Sequence, residues 1–246
     1  MQLFHHYQPI VDLATGDVLG YEALARFPDG DSSERIAEIG ASGPRALRAF
    51  DAFSVYTAGA GALPWLAPGQ RLFLNVTGAT ADAIAHGHAW PAVPAGLRVV
   101  WELPEDQPGV TACLRPAALS RLVQSGAEIA LDDLGEGVGD LRRIAELGHA
   151  AWWKLGRGLV NGVARTPQRH RWLASIVRFA PRVIADGVEE PEDIAVLRGV
   201  GVRYGQGFAL GRPAPPPTTH VQLGALKGGG AHPLRSIPAE ALKGGA

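Results

Sequence analysis

Short apolar stretches rich in β-branched and aromatic residues recur along the chain, and most give way to a polar residue. They fall at 3–13, 18–21, 72–74, 97–101, 128–131, 152–153, 183–185 and 202–204. Runs this short, bounded by turn-forming residues, predict eight strands rather than helices, the one at 152–153 being the shortest. Helix-like stretches are predicted between them at 32–39, 43–56, 116–125, 141–147, 168–179 and 191–197. The segment "SERIAEIG" reads as a short helix capped by Ser33 and stopped at Gly40.

The first polar residues after seven of the runs are Glu22, Asn75, Glu102, Asp132, Lys154, Asp186 and Gln206. Their separations are 53, 27, 30, 22, 32 and 20 residues, and all but the first suit one strand, one helix and a return loop. The longest has room for an additional helix. Near-continuous apolar strands are those buried on both faces by helices, which predicts a largely parallel sheet. Eight such units close into a (β/α)8 barrel whose site lies at the C-terminal ends of the strands. The first connection, "DLATGD", is too short for a helical crossover, so strand one should run antiparallel to strand two in a modified TIM-like α/β barrel.

The text changes after Arg212, where "PAPPPTTHVQLGALKGGGAHPLRSIPAEALKGGA" has a proline cluster, Gly-rich segments and no sustained periodicity. The expected organisation is a barrel domain over 1–213 and a Pro/Gly-rich tail over 214–246. A formal charge of -1 provides no global basic field for a nucleic-acid polymer or an anionic membrane, so any phosphate recognition must be local. The single cysteine, Cys113, excludes an intrachain disulfide framework and a Cys-rich metal site. No charged leader or long apolar segment is visible, and a cytoplasmic location is expected.

A barrel would bring Glu22, Asn75, Glu102, Asp132, Asp133 and Asp186 to one mouth. Five carboxylates in one pocket repel unless cations neutralise them, and oxygen-rich ligation selects Mg²⁺ or Mn²⁺ over Zn²⁺. Within "IALDDLGEGVGD", Asp132 and Asp133 point in different directions, yet both can reach adjacent cations. Gly135, Gly137 and Gly139 match neither a dinucleotide nor a P-loop fingerprint. Lys154 can stabilise charge on a water or phosphate, and Arg26 can clamp a phosphate with its fork of donors. Gln206 lies between glycines that let backbone approach a ligand. His5, His6 and His149 read as structural or solvent-facing.

Together "QPI" at 8–10, "EALAR" at 22–26, "FLNV", "ELPE" at 102–105, "DDLG" at 132–135, Lys154, "ADGVE" at 185–189 and "QG" at 206–207 resemble the EAL domain, a bacterial family of cyclic di-GMP phosphodiesterases. The resemblance covers about residues 3–213 and implies a barrel with an antiparallel first strand, as read above. It implies hydrolysis of cyclic di-GMP to linear pGpG with two Mg²⁺ or Mn²⁺ ions. Glu22, Asn75, Glu102 and Asp132 would hold one ion, and Asp132, Asp133 and Asp186 the second. Glu22, Lys154 and Asp186 would be the catalytic residues, with Lys154 contacting the attacking water. Gln8, Leu24, Arg26 and Gln206 would serve the substrate, and Glu105 would hold the loop after the paired aspartates.

Three departures stand out: "DDLGEGVGD" where the family reads close to DDFGTGYSS, Asp186 where it has glutamate, and Gly156 in "KLG" where it has a carboxylate. An impaired, binding-only receptor for cyclic di-GMP is the alternative reading, and a homodimer or a regulatory protein is the partner class left open.

Overall fold

A computed structural model of the chain describes residues 2–104, 126–134, 151–180 and 182–216. Eight strands close into a barrel in chain order: β1 Phe4–Asp12, β2 Val18–Arg26, β3 Arg71–Asn75, β4 Arg98–Pro104, β5 Glu128–Leu134, β6 Ala151–Leu155, β7 Val183–Ala185 and β8 Tyr204–Gly205. β1 is antiparallel to both β2 and β8, and every other neighbouring pair is parallel. The expected architecture is therefore the one observed.

The hairpin between β1 and β2 is closed by Asp12, whose Oδ1 accepts from the amides of Ala14 at 2.9 Å and Thr15 at 3.3 Å. Gly16 takes the positive φ of 80° that the turn requires. β2 does not stop at Tyr21 as its apolar run suggested. Its ladder with β1 continues to Phe4↔Arg26, which places Glu22 mid-strand.

Around the barrel lie α1 Ser32–Ala41, α2 Pro44–Ala62, α3 Gly78–Ala85, α4 Arg157–Val160, α5 Pro167–Phe179 and α6 Pro191–Gly199, with a 3₁₀ turn at Val163–Arg165. α1 is capped by Asp31 rather than Ser33: the Asp31 backbone is extended and its carboxylate accepts from Ser33 N at 2.7 Å and Glu34 N at 3.3 Å. Gly40 lies inside the helix, which ends two residues before Gly43. α2 runs beyond the expected Tyr56 because Ala58, Gly59 and Ala62 are buried, and a Cβ on Gly59 would lie 2.8 Å from the Pro94 ring. α3, α4 and the 3₁₀ turn were not anticipated. The helices expected at 116–125 and 141–147, Cys113, His149, the glycines after Leu134 and the tail beyond residue 216 lie outside the described residues.

One apolar core fills the space between barrel and helices and includes Leu72, Leu74, Leu103, Leu131, Trp153 and Leu155. A second fills the barrel itself: Ile10, Phe73, Val100, Ala130, Trp152 and Ile184, with Tyr204 packed against them. Adjacent strand residues face opposite sides, so the residue two positions beyond each of these also faces inward. Truncating a fully buried member such as Phe73 to Ala should cost about 3–5 kcal/mol. This plug separates two polar mouths, one at each end. Among the described residues no helix is long and apolar enough to cross a membrane.

Candidate active site

Two residues above the apolar plug, toward the C-terminal ends of the parallel strands, every strand contributes a polar side chain: Gln8, Glu22, Asn75, Glu102, Asp132, Lys154, Asp186 and Gln206. On β2 the plug position is Gly20, where a Cβ would lie 2.1 Å from the Arg71 carbonyl oxygen, so only glycine fits beneath Glu22.

Lys154 is the hub of this tier. Its Nζ stands 3.1 Å from Glu22 Oε2, 2.9 Å from Glu102 Oε1 and 3.1 Å from Asp132 Oδ1, and its side chain is 1% exposed. Glu22 is held on several sides: Asn75 Nδ2 donates to Oε1 at 2.7 Å, and Gln206 Nε2 donates to Oε2 at 2.6 Å. Gln206 also donates to Gln8 Oε1 at 3.2 Å, and Gln8 donates to the Gly211 carbonyl at 3.0 Å. Both glutamines are buried, so they brace Glu22 and the segment after β8.

Charge is distributed unequally over the cluster. Burial opposes ionisation of Glu22, yet Lys154 and the surrounding donors hold its carboxyl down at about 2. Burial and repulsion from Glu22 push Glu102 well above the usual carboxylate range, despite Lys154. Burial works against the charge on Lys154, but Asp132, Glu102 and Glu22 outweigh it and raise its pKa further. Asp186 is pushed up by burial, with Lys154 acting in the opposite direction. In the metal-free cluster this describes ionised Glu22, cationic Lys154 and a Glu102 that favours its proton. A cation beside Glu102 would reverse that last preference.

Asp132 and Asp133 lie where β5 departs from regular register. Leu131 pairs with Trp153 and Leu134 with Leu155, so three steps on β5 oppose two on β6. Asp133 takes a left-handed φ of 60° inside this bulge. The bulge overrides strand alternation and turns both carboxylates toward Asp186. Ligand oxygens of Asp132, Asp133 and Asp186 lie within 4.8 Å of one another. Glu102 Oε1 and Oε2, Asp132 Oδ1 and Gln206 Oε1 are buried without a hydrogen-bond donor, so Lys154 serves Glu102 and Asp132 through charge alone. A hard-oxygen set with unfilled buried acceptors fits a Mg²⁺- or Mn²⁺-type cation.

A cavity of about 320 Å³ opens from Glu22 and Asn75 along β2 past Leu24 to Arg26, with Phe50, Asp51 and Ser54 of α2 as its far wall. Leu24 and Arg26 thus line a hollow next to the carboxylates. His5, expected to be structural or solvent-facing, closes one side with Nε2 3.0 Å from Ser54 Oγ. Glu105 lies outside the described residues.

Asp51 escaped the sequence reading. It is buried and accepts from Thr77 N at 2.9 Å and Thr77 Oγ1 at 2.8 Å, anchoring the chain two residues after Asn75 to α2. Its signal was an aspartate within the apolar stretch "AFDAF" of a helix.

The EAL domain profile matches residues 1–213, spanning the whole barrel. The chain belongs to the EAL domain family. Over 230 residues it is 27% identical to the probable cyclic di-GMP phosphodiesterase PdeB of Escherichia coli K12, covering 85% of this chain and 42% of that protein. The chain thus spans less than half the length of that relative. Among solved structures, Klebsiella pneumoniae BlrP1 in a manganese/cyclic di-GMP complex matches with a TM-score of 0.71 and 28% identity, over 87% of this chain and 56% of that one. The PaMucR phosphodiesterase in complex with c-di-GMP matches with a TM-score of 0.68 and 25% identity, over 87% of this chain and 98% of that one.

Two of the positions singled out in the sequence, Asp186 and Gly156, are visible in the structure. Asp186 Oδ1 accepts from the amide of Gly187 at 2.7 Å, so the shorter carboxylate also serves its own turn. Gly156 is the N-cap residue just before α4 and donates its amide to the Leu134 carbonyl at 2.9 Å, which ties β6 to the end of β5.

Proposed function

We propose that this EAL domain hydrolyses cyclic di-GMP to linear pGpG with two divalent cations, Mg²⁺ or Mn²⁺. The observation that carries the reading is the polar tier itself: five acidic residues and Asn75 converge around one buried lysine, with buried acceptors left unfilled. Glu22, Asn75, Glu102 and Asp132 would hold one cation, and Asp132, Asp133 and Asp186 the other. Bound there, the cations would lower the pKa of a water and neutralise charge on the phosphate.

Around them the chain's own residues divide the work. Lys154, kept cationic by the surrounding carboxylates, would hold the attacking water and offset charge on the phosphate. Arg26 would clamp a phosphate with its guanidinium fork at the far end of the β2 cavity, and Leu24 would pack beside it. Gln8 and Gln206 fix Glu22, which keeps the ligand set in place. The water oxygen would bond to phosphorus as the bond to the 3′ oxygen breaks, and the proton that the water gives up would be returned through solvent to the 3′ oxygen, which leaves as a hydroxyl. Purified protein incubated with cyclic di-GMP and either metal, with products resolved chromatographically, should yield pGpG. A blank with both metals across a broad pH range would reject hydrolysis.

The Asp186–Gly187 contact favours a second reading, in which the pocket binds cyclic di-GMP without turning it over. A carboxylate one methylene short can misplace a ligand oxygen by about 1 Å, enough to cost about 100-fold in rate. Rates for wild type, Asp186→Ala and Asp186→Glu separate the two. A hydrolase whose Asp186 reaches its cation loses turnover in Asp186→Ala and keeps or gains it in Asp186→Glu. A receptor binds cyclic di-GMP by calorimetry in chelator while all three proteins remain inactive.

A further inference from the structure

At the opposite end of the barrel a second cavity, about 490 Å³, lies against the starts of β3, β6, β7 and β8. Among the described residues, the charged side chains lining it are Arg71, Arg182 and Arg203, and no carboxylate lines it. Beside it stands Glu128, which accepts from Arg71 Nε at 2.9 Å, Arg98 Nε at 2.6 Å, Arg182 Nη1 at 3.2 Å and Trp152 Nε1 at 3.0 Å. Four donors fill the roughly four lone-pair sites of one carboxylate, while each guanidinium carries about five N–H groups. Three arginines on one glutamate therefore leave two positive charges and many donors in excess. Arg203 forms a neutral pair with Asp12 at 2.8 Å.

The guanidiniums are held in position. Arg71 and Arg182 lie 5.0 Å and 5.1 Å from the Trp152 ring centre, and Arg203 lies 5.1 Å from that of Tyr204. Side chains fixed in this way lose less freedom on gripping a ligand. Glu128 and Asp12 pair with these guanidiniums, but two acids against Arg71, Arg98, Arg182 and Arg203 leave two positive charges in excess, and three of the four arginines line the same hollow. Such a surplus repels itself unless an anion enters.

We propose that this cavity binds a compact phosphate-type polyanion, free or as the phosphate end of a nucleotide, through Arg71, Arg182 and Arg203. The site lies across the apolar plug from the carboxylate cluster and is separate from it.

The test is calorimetry on the full chain in chelator, with inorganic pyrophosphate and GDP in separate arms against chloride-matched ionic strength. Saturable heat with pyrophosphate is expected. Arg182→Gln and Arg203→Gln should each weaken it about tenfold, the usual consequence of losing one charge-assisted contact. Equal binding of pyrophosphate and GDP identifies a free polyanion as sufficient, and binding of GDP alone identifies the nucleotide. Arg203→Lys, which keeps the charge without the fork, should fall between wild type and Arg203→Gln, and melting curves establish that each variant folds. No saturable heat with either probe, or folded glutamine variants that bind like wild type, would overturn the proposal. So would loss of binding in Arg26→Gln, because the anion would then sit at the other mouth.

Discussion

The two mouths of the barrel are built from the same strands with opposite charge. At the C-terminal mouth five carboxylates surround a single buried lysine, whereas at the N-terminal mouth three arginines converge on Glu128. The difference in cation type follows from burial. Lys154 is enclosed and acts as a point charge shared by three acids, while Arg98 and Arg182 remain about half exposed and each reach Glu128 through one nitrogen. An acidic cluster with unfilled buried acceptors asks for metal, and a cluster with more arginines than acids around a cavity asks for an anion. Because both are layers of one closed sheet, each can be perturbed while the other serves as its control.

The largest effect is expected from Lys154→Met. Removing the cation leaves Glu22, Glu102 and Asp132 buried together, which should cost about 3–5 kcal/mol of stability. Denaturant melts would measure it, and added Mn²⁺ should restore much of the loss. A variant as stable as wild type without metal would show that Lys154 is not the counter-charge of this mouth.

Divalent cations should next stabilise the wild type beyond a salt-matched control, by about 2.7 kcal/mol at a hundredfold excess over Kd. Asp133→Asn should reduce that gain, whereas Glu128→Gln should leave it intact. A gain equally lost in both variants would mean that the two mouths are not independent.

Acid should unfasten the mouths in sequence. Burial first, and then Arg26, hold the pKa of His5 down at about 4, so the folded protein keeps it neutral where the unfolded chain takes up the proton near 6.5. The unfolded state binds more protons across that interval, so stability falls as pH drops from 6.5 to about 4, by roughly 3 kcal/mol. Burial opposes ionisation of Glu128, but Arg71, Trp152 and Arg98 hold its pKa down at about 2, so its contribution is present above about 4.5 and is lost as pH falls from there toward 2. Subtracting melts of His5→Gln and Glu128→Gln from wild type at each pH should isolate the two windows. One common window would break the assignment.

The smallest effect belongs to Glu128→Gln at neutral pH. Two of its three arginine partners, Arg98 and Arg182, are about half exposed, so about 1 kcal/mol of stability should be lost. Turnover at the other mouth should change less than about twofold, as expected for sites that share no partners. A larger loss of turnover would show coupling through the apolar plug.

Much of the upper mouth was legible because a residue that ends an apolar run in a buried parallel strand has one place to go. Asn75, Glu102, Asp132, Lys154, Asp186 and Gln206 were found this way, and each lies two positions beyond a plug residue. Glu22 was found by the same rule for a different reason, since β2 continues to Arg26 and its run was broken by inward-facing polarity rather than by the strand's end. The α1 cap was misread because Asp31 and Ser33 are both good caps and only backbone geometry distinguishes them. α3, "GATADAIA", is made of small residues that carry almost no amphipathic signal.

The lower mouth was missed although its residues lie four positions before site residues: Arg71 before Asn75, Arg98 before Glu102, Glu128 before Asp132 and Arg182 before Asp186. In a linear sequence an arginine preceding a strand reads as a solvated flank. Convergence appears only when the barrel closes and brings strand starts that are tens of residues apart around one ring.

By itself the sequence determined the strand count, the antiparallel hairpin, the family and the acids of one mouth, because each rests on local spacing, turn length or an ordered motif. Only the tertiary structure decided the β5 bulge that turns two adjacent aspartates the same way, the glycine that makes room beneath Glu22, the sharing of Lys154 among three acids and the gathering of arginines on Glu128. These depend on register and closure, which set distances between residues that local sequence leaves independent.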